Sequence, residues 1–246
     1  MLWGVFSDVH SNATAMQAVL RHLHTSGVEG YVCCGDIVGY GPDADDVIEM
    51  VASLPSLHAV RGNHDLAVLG RMDIAWFNEA ARAAVEFTQR TISPGNLAWL
   101  KDLPPQVHSE RFTVVHGSPR NPAEEYLVTV QQFHDNTAYM KSSPCFVGHS
   151  HVPVCFLMKK PVSYVEHGVL AKDQKILVQT GMHCVVNPGS VGQPRDHDPR
   201  ASCGIYDDES RVFALQRVEY DVDAVKQRMA SVGLPEFLAS RLSYGQ

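Results

Sequence analysis

Leu2-Trp3-Gly4-Val5-Phe6-Ser7-Asp8-Val9-His10 is an apolar run that breaks into ligand-type side chains, and the same step recurs down the chain. Tyr31–Cys34 runs into Gly35-Asp36, and Leu57–Val60 into Arg61-Gly62-Asn63-His64-Asp65. Thr113–Val115 ends at His116-Gly117-Ser118-Pro119, and Cys145–Val147 at Gly148-His149-Ser150-His151. Short β-branched and aromatic runs closed by Gly or Pro read as buried strands. In open α/β sheets, sites form outside the carboxyl ends of strands. Five strands that each deliver a His, Asp or Asn at that end are hard to explain as packing.

Working outward, amphipathic helices lie between the early strands. Asn12 suits an N-cap, and Ala15, Met16, Val19, Leu20 and Leu23 form an apolar stripe that Gly27 stops. A second helix over Asp43–Ala52 follows Pro42 and turns Val47, Ile48 and Val51 inward. Strand–helix–strand order predicts parallel strands with right-handed crossovers. The pattern is helical from Leu66 to Leu103, with Ala75–Arg90 the longest piece. Residues 66–105 read as a helical cap beside the site or as an interface segment, and Trp76, Phe77 and Trp99 fit either. After His151 come short strands at Val154–Leu157, Val162–Val165, Ile176–Val178, Val185–Asn187, Ser202–Tyr206 and Val212–Val218. Helices from Val222 to about Ala230 and over Leu234–Leu242 close the chain. The expected fold is α/β: a four-layer α/β/β/α sandwich of two mixed sheets, the second mostly antiparallel, with a metal site at strand C-terminal ends. Residues 1–246 read as one domain.

The chain has 246 residues, 45% hydrophobic and 19% charged, which excludes a disordered or fibrous protein. No apolar run is long enough to span a membrane, and Met1–Asp8 has no basic segment of the signal-peptide kind. A net charge of −7 argues against a broad grip on duplex nucleic acid. Six scattered cysteines without a CxxC pair read as reduced, buried thiols of a cytoplasmic protein. The thirteen histidines are the unusual count. His22, His24, His58, His108, His134, His167 and His183 have no partner pattern and read as ordinary residues.

Asp8 and His10 are two apart, as are His149 and His151, and in extended backbone such pairs point the same way and can chelate one site. With Asp36, Asn63 and His116 they make seven N/O ligands and no thiolate. That is too many for one tetrahedral metal and suits two divalent ions, Mn, Fe or Zn, sharing a carboxylate. Four positive charges against Asp8 and Asp36 leave a surplus of about two, which attracts phosphate, and such a pair can hold a hydroxide nucleophile for in-line displacement.

The ordered motifs DxH (Asp8, His10), GDxVGYG (Gly35–Gly41), GNHD (Gly62–Asp65), VHGSP (Val115–Pro119) and GHSHVP (Gly148–Pro153) resemble those of the calcineurin-like metallophosphoesterases. Asn187–Ser202 is similar to a small prokaryotic phosphodiesterase or phosphatase-like branch. The resemblance implies one metal held by Asp8, His10, Asp36 and His151, and a second held by Asp36, Asn63, His116 and His149. It also implies His64 as the acid that protonates the leaving oxygen, oriented by Asp65. Asp65 could alternatively cap a helix beginning near Leu66. Ser150 stands where Thr is frequent, and His197 where Gly is usual.

Asn63 would stabilise charge on the phosphoryl group, and Arg195 and Arg61 are candidate phosphate clamps. Tyr40, between Gly39 and Gly41, lies where backbone can approach a phosphate, although a Gly-Tyr-Gly-Pro turn is also a structural explanation. Asn187, Gly189 and Ser190 read as a rigid turn, and Cys33 and Cys34 as packing behind the site. The function expected is hydrolysis of a small or nucleotide-type phosphoester by a phosphodiesterase or phosphatase. A dinucleoside polyphosphate hydrolase is the narrower alternative, and an inactive binding scaffold the alternative from another class. A small substrate, no membrane and an open oligomeric state complete the expectation.

Overall fold

The computed structural model describes residues 1–159 and 164–246. Its first half alternates strand and helix: β1 (Leu2–Phe6), α1 (Ala13–Thr25), β2 (Gly30–Cys33), α2 (Ala44–Ala52), β3 (Leu57–Ala59) and α3 (Asn63–Val68). Two longer helices follow, α4 (Glu79–Thr91) and α5 (Pro94–Asp102), then β4 (Gln106–His108), β5 (Thr113–Val115), α6 (Val130–Asn136) and β6 (Cys145–Phe146). The remainder is β7 (Pro153–Lys159), β8 (Val165–Val169), β9 (Lys175–Leu177), β10 (Met182–Pro188), β11 (Ala201–Asp207), β12 (Val212–Val218), α7 (Val222–Ser231) and α8 (Glu236–Leu242).

Two six-stranded sheets result, ordered β3-β2-β1-β11-β12-β9 and β4-β5-β6-β10-β7-β8. Both are mixed: β1, β2 and β3 are parallel, as are β5, β6 and β10, and the other pairings are antiparallel. The late strands do not form a sheet of their own. Instead β11 pairs with the free edge of β1, with Val5 opposite Gly204, so the hairpin β11–β12 extends the parallel sheet. Of the expected strand Val162–Val165, residues 162 and 163 lie outside the described residues, and Val165 opens β8.

Alternation along the strands assigns side chains to layers. Trp3, Val5, Val32 and Cys34 join Phe146, Val186, Tyr206 and Phe213 between the sheets. Phe6, Tyr31 and Cys33 point the other way, under Met16, Val19, Leu23, Val47 and Ile48 of α1 and α2. On the far face of the second sheet, Val115, Cys145 and Phe156 meet Phe133 of α6. This gives the helix–sheet–sheet–helix order.

Local chemistry fixes the helix ends. Asn12 caps α1 by accepting the Ala15 N–H at 3.0 Å, and Gly27, at φ +76°, stands just past its end. The stretch 66–103 is not led by a helix from Ala75. A short 3-10 turn at Ile74–Trp76 precedes Asn78, whose side chain accepts the Ala81 N–H at 2.9 Å to start α4. Ser93-Pro94 starts α5 in the same way.

Phe146 is fully buried between the sheets, with ring centroids of Tyr206 and Phe112 at 5.4 and 5.9 Å. Phe146→Ala is expected to lower stability by about 3–5 kcal/mol, read as a fall in denaturant midpoint at constant m-value.

Candidate metal centre

The parallel strands β1, β2 and β3 of one sheet and β5 and β6 of the other deliver their C-terminal loops to one place. Those loops are laced together through the backbone. The amides of Asp8, His10 and Ser11 donate to the carbonyls of Gly35, Asp36 and Ile37 at 3.0–3.1 Å, and Gly148 N–H donates to the His116 carbonyl at 2.8 Å. Asn187 Nδ2 donates to the Gly148 carbonyl at 2.6 Å, and Ser190 Oγ to the Asp8 carbonyl at 2.8 Å, so the expected rigid turn ties the first and last motifs.

The backbone at the motifs is not extended. Asp8, His10, Asp36, His149 and His151 have φ between 49° and 69°, the left-handed region that non-glycine residues seldom adopt. The paired residues therefore do not all chelate as pairs. Asp8 and His10 form one group with His151, and His149 joins Asp36 and His116 in a second. Within each group the offered ligand atoms all lie within 4.8 Å of one another. Asp36 adjoins both groups: Oδ2 is 3.3 Å from His116 Nε2 and 3.7 Å from His10 Nε2. Gly62 passes so close that a Cβ there would strike the Asp36 carboxylate.

The hydrogen bonds of the four imidazoles fix their tautomers. The outer nitrogens face backbone carbonyls: His10 Nδ1 to Val38 at 3.0 Å, His151 Nδ1 to Gln193 at 2.6 Å, His116 Nδ1 to Cys34 at 2.9 Å and His149 Nε2 to Glu124 at 3.1 Å. A carbonyl only accepts, so each outer nitrogen carries the N–H, and in a neutral ring the inner nitrogen presents a lone pair. The inner nitrogens face one another, His10 Nε2 to His151 Nε2 at 3.1 Å and His116 Nε2 to His149 Nδ1 at 3.2 Å. Asn63 Oδ1 adds a further electron-rich atom 3.0 Å from His116 Nε2. Such an arrangement is repulsive until a proton or a cation enters. Backbone acceptors behind imidazoles are also the usual support of metal-binding histidines. The all-N/O donor set fits divalent Mn, Fe or Zn.

Beside these groups opens a cavity of about 340 Å³, walled by residues including Asp36, Tyr40, Asn63, His64, Glu124, Tyr126 and Arg195. His64 is buried against Tyr40, His10 and Phe77, and its Nδ1 has no hydrogen-bond partner among the described residues. Gly39, at φ +92°, makes room for it, since a Cβ there would lie 2.6 Å from that nitrogen. Asp65 does not orient the ring. Its carboxylate accepts the backbone N–H groups of Gly62, Ile37 and Val38 at 2.8–3.1 Å. Asp65 does serve a helix start, but one earlier than Leu66: Gly62 is the cap, α3 begins at Asn63, and the Asp65 carboxylate completes the cap by accepting the Gly62 N–H. Arg61 donates to the Leu103 carbonyl at 2.6 Å and does not line the cavity. Arg195 donates from Nη2 to Gln193 Oε1 at 2.9 Å and Tyr40 Oη at 3.3 Å, and its buried Nε has no partner among the described residues. Glu124 and Tyr126 escaped the sequence reading because no motif marks them. Tyr126 lies flat on His149, with centroids 3.9 Å apart.

The sequence profile of the calcineurin-like phosphoesterase superfamily domain matches residues 1–211. The chain belongs to that superfamily. It is 34% identical over 249 residues to an uncharacterized protein of Methanocaldococcus jannaschii, covering 98% of this chain and 97% of that one. The metallophosphoesterase from Sphaerobacter thermophilus superposes with a TM-score of 0.89 at 37% identity, covering 100% and 99% of the two chains. A hypothetical protein from Pyrococcus horikoshii OT3 shares the fold at 21% identity, with a TM-score of 0.79 and coverage of 100% and 98%. This calcineurin-like phosphoesterase is therefore a hydrolase of phosphoesters. No helix among its described residues is long and apolar enough to cross a membrane.

Electrostatics within the phosphoesterase centre follow from burial set against close charge. Burial holds His10 and His151 well below the ordinary histidine range and lowers His149 to about 3, so these rings are neutral at pH 7. For His116 burial also opposes charge, yet the Asp36 carboxylate prevails and raises the ring to about 9. Burial pushes Asp8 up to about 7 against the pull of His116. Asp36 is held well below the usual carboxylate range, its burial outweighed by His116, His64 and His10. A cation taken up by His116 would displace its proton, and apparent metal affinity should then rise with pH up to about 9 and level off above it. Manganese titration at pH 8, run in buffers of different ionisation enthalpy, should register about one proton released as the sites fill.

Proposed function

We propose that this phosphoesterase is binuclear and hydrolyses a small phosphodiester or phosphomonoester. Asp8, His10, Asp36 and His151 would hold one divalent cation, and Asp36, Asn63, His116 and His149 the other. The observation that carries this reading is the convergence of four inner imidazole nitrogens, in pairs 3.1 and 3.2 Å apart, on two buried carboxylates. Cations bound there would activate water and offset charge on the phosphoryl oxygens.

The chain's own side chains supply the rest. Arg195 is held by Gln193 and Tyr40 with a buried N–H to spare, which suits it to grip a phosphate oxygen, with the Tyr40 hydroxyl beside it. His64 lines the cavity next to Asn63, in position to hydrogen-bond the leaving oxygen. Burial lowers the free ring to about 4, and the negative charge of a bound phosphoester raises its hold on a proton. Asp65 acts through the backbone: by binding the Gly62, Ile37 and Val38 amides it fixes the loops that carry Asp36 and His64.

Residues 1–246 are taken as one catalytic unit, in which α7 and α8 pack against Tyr40 and α4 through Val225, Met229, Leu238 and Ala84. Six free, buried cysteines support a reducing, cytoplasmic setting, and the net charge of −7 supports a small substrate over duplex nucleic acid.

Asp36→Asn should lower metal content at both positions and His10→Ala mainly at one, as read by elemental analysis. One metal at most in manganese-loaded wild-type protein would refute the binuclear reading. His64→Ala should keep both metals and lose roughly 10²–10⁴ in rate on alkyl phosphoesters, with a smaller loss on nitrophenyl esters, whose leaving group departs unprotonated. Equal losses on the two ester types would remove His64 from the acid role.

A further inference from the structure

The cavity over the metal centre carries more aromatic surface than hydrolysis of a phosphate requires. Tyr40, Trp76, Phe77 and Tyr126 all line it. Tyr40 and Phe77 pack on His64, with centroids at 4.4 and 4.9 Å. Trp76 and Tyr126 have no such duty. The indole is 89% exposed on the 3-10 turn before α4, and Tyr126 is 45% exposed on the loop between β5 and α6. Exposed aromatic surface gathered at one cavity is a mark of ligand-binding grooves. Two stretches fifty residues apart in sequence supply them to the same space. Tyr126 is already oriented: its ring is within 16° of the His149 plane, so a planar guest would continue the stack.

We infer, resting on the phosphoester reading above, that Trp76 and Tyr126 receive the base of a nucleoside phosphoester of mononucleotide size, with the nucleoside as leaving group. The position of His64 sets the direction. A proton donor stands on the leaving side of phosphorus, and His64 touches Phe77, the neighbour of Trp76. The departing group is therefore directed onto the wall formed by Met72, Trp76, Phe77 and Ala81, while Arg195 beside Tyr40 takes the phosphate. About 340 Å³ is at the small end of ligand cavities and admits one nucleoside with its phosphate. Glu124 in the cavity wall opposes the further phosphates of a strand. Stacking reads the face of a base and not its edge, so the preference extends to purines and pyrimidines alike. In the reaction the oxygen of water bonds to phosphorus and the bond from phosphorus to the nucleoside oxygen breaks. The electron pair stays on that oxygen, which takes a proton through His64, balanced by the proton that water gives up.

The test compares adenosine and uridine monophosphates with glycerol phosphate, an ester of like charge without a ring. Trp76→Ala should raise KM for the nucleotides roughly tenfold relative to KM for glycerol phosphate, and Trp76→Phe should restore most of the difference. A second readout needs no turnover. Adenosine, which has no phosphate, should quench tryptophan emission saturably in wild-type protein, and the quench should vanish in Trp76→Phe. Equal KM changes for ringed and ringless esters, or no saturable quench, overturn the base site. Failure of metal-loaded wild-type protein to hydrolyse any ester refutes the hydrolytic reading instead, and the adenosine quench then decides the base site alone.

Discussion

The Asp36 carboxylate lies where the strand ends of the two sheets converge. One oxygen accepts the His64 amide at 2.8 Å, and the other stands 3.3 Å from His116 and 3.7 Å from His10. Two carboxylates and four imidazoles are crowded here, and they would separate if their backbones were free. They are not free. The loops after β1 and β2 are bonded to each other amide by amide, and the turn at Asn187–Ser190 clamps the loop after β6 to Asp8. Five left-handed residues among the metal-ligating candidates, each costing of order 1–3 kcal/mol, are the local cost of this convergence. It is sustained by the apolar core between the sheets.

Much of this was legible from residue order alone. The run from Leu2 to His10 identified β1 and its ligand-bearing end, because an apolar stretch with inward alternation needs no partner to be read. Asn12 and Gly27 marked the limits of α1 for the same reason: a cap and a left-handed stop are local events. The grouping of Asp8, His10, Asp36, His116, His149 and His151 at strand ends was legible through repetition of one pattern across five strands.

What escaped depends on contacts distant in sequence. Nothing in Ala201–Asp207 says that this strand will pair with β1, since its choice of sheet is decided by which edge remains open. The spacing of two residues alone put His149 and His151 in one site; their separation, His149 with His116 and His151 with His10, was legible only through the family resemblance, because the left-handed turns that separate them are not encoded in the spacing. Asp65 looked like a partner of its neighbour His64, and the amides that claim it come from the loop after β2, 27 and 28 residues away. Asn78 lay inside the helical piece expected over Ala75–Arg90, because apolar spacing does not show which side chain will accept the Ala81 N–H and start α4.

The strands that feed the centre come from both sheets, β1 to β3 from one and β5 and β6 from the other. A cation seated between Asp36 and His116 would thus be a rivet through the sandwich, present only while the chain is folded. Free metal at a hundred times its dissociation constant adds about 2.7 kcal/mol to the folded state. Scarcity of the ion would then thin the population of folded molecules, left open to proteolysis, as well as silence the sites that survive. Cation supply would in this way govern how much of the protein a cell keeps.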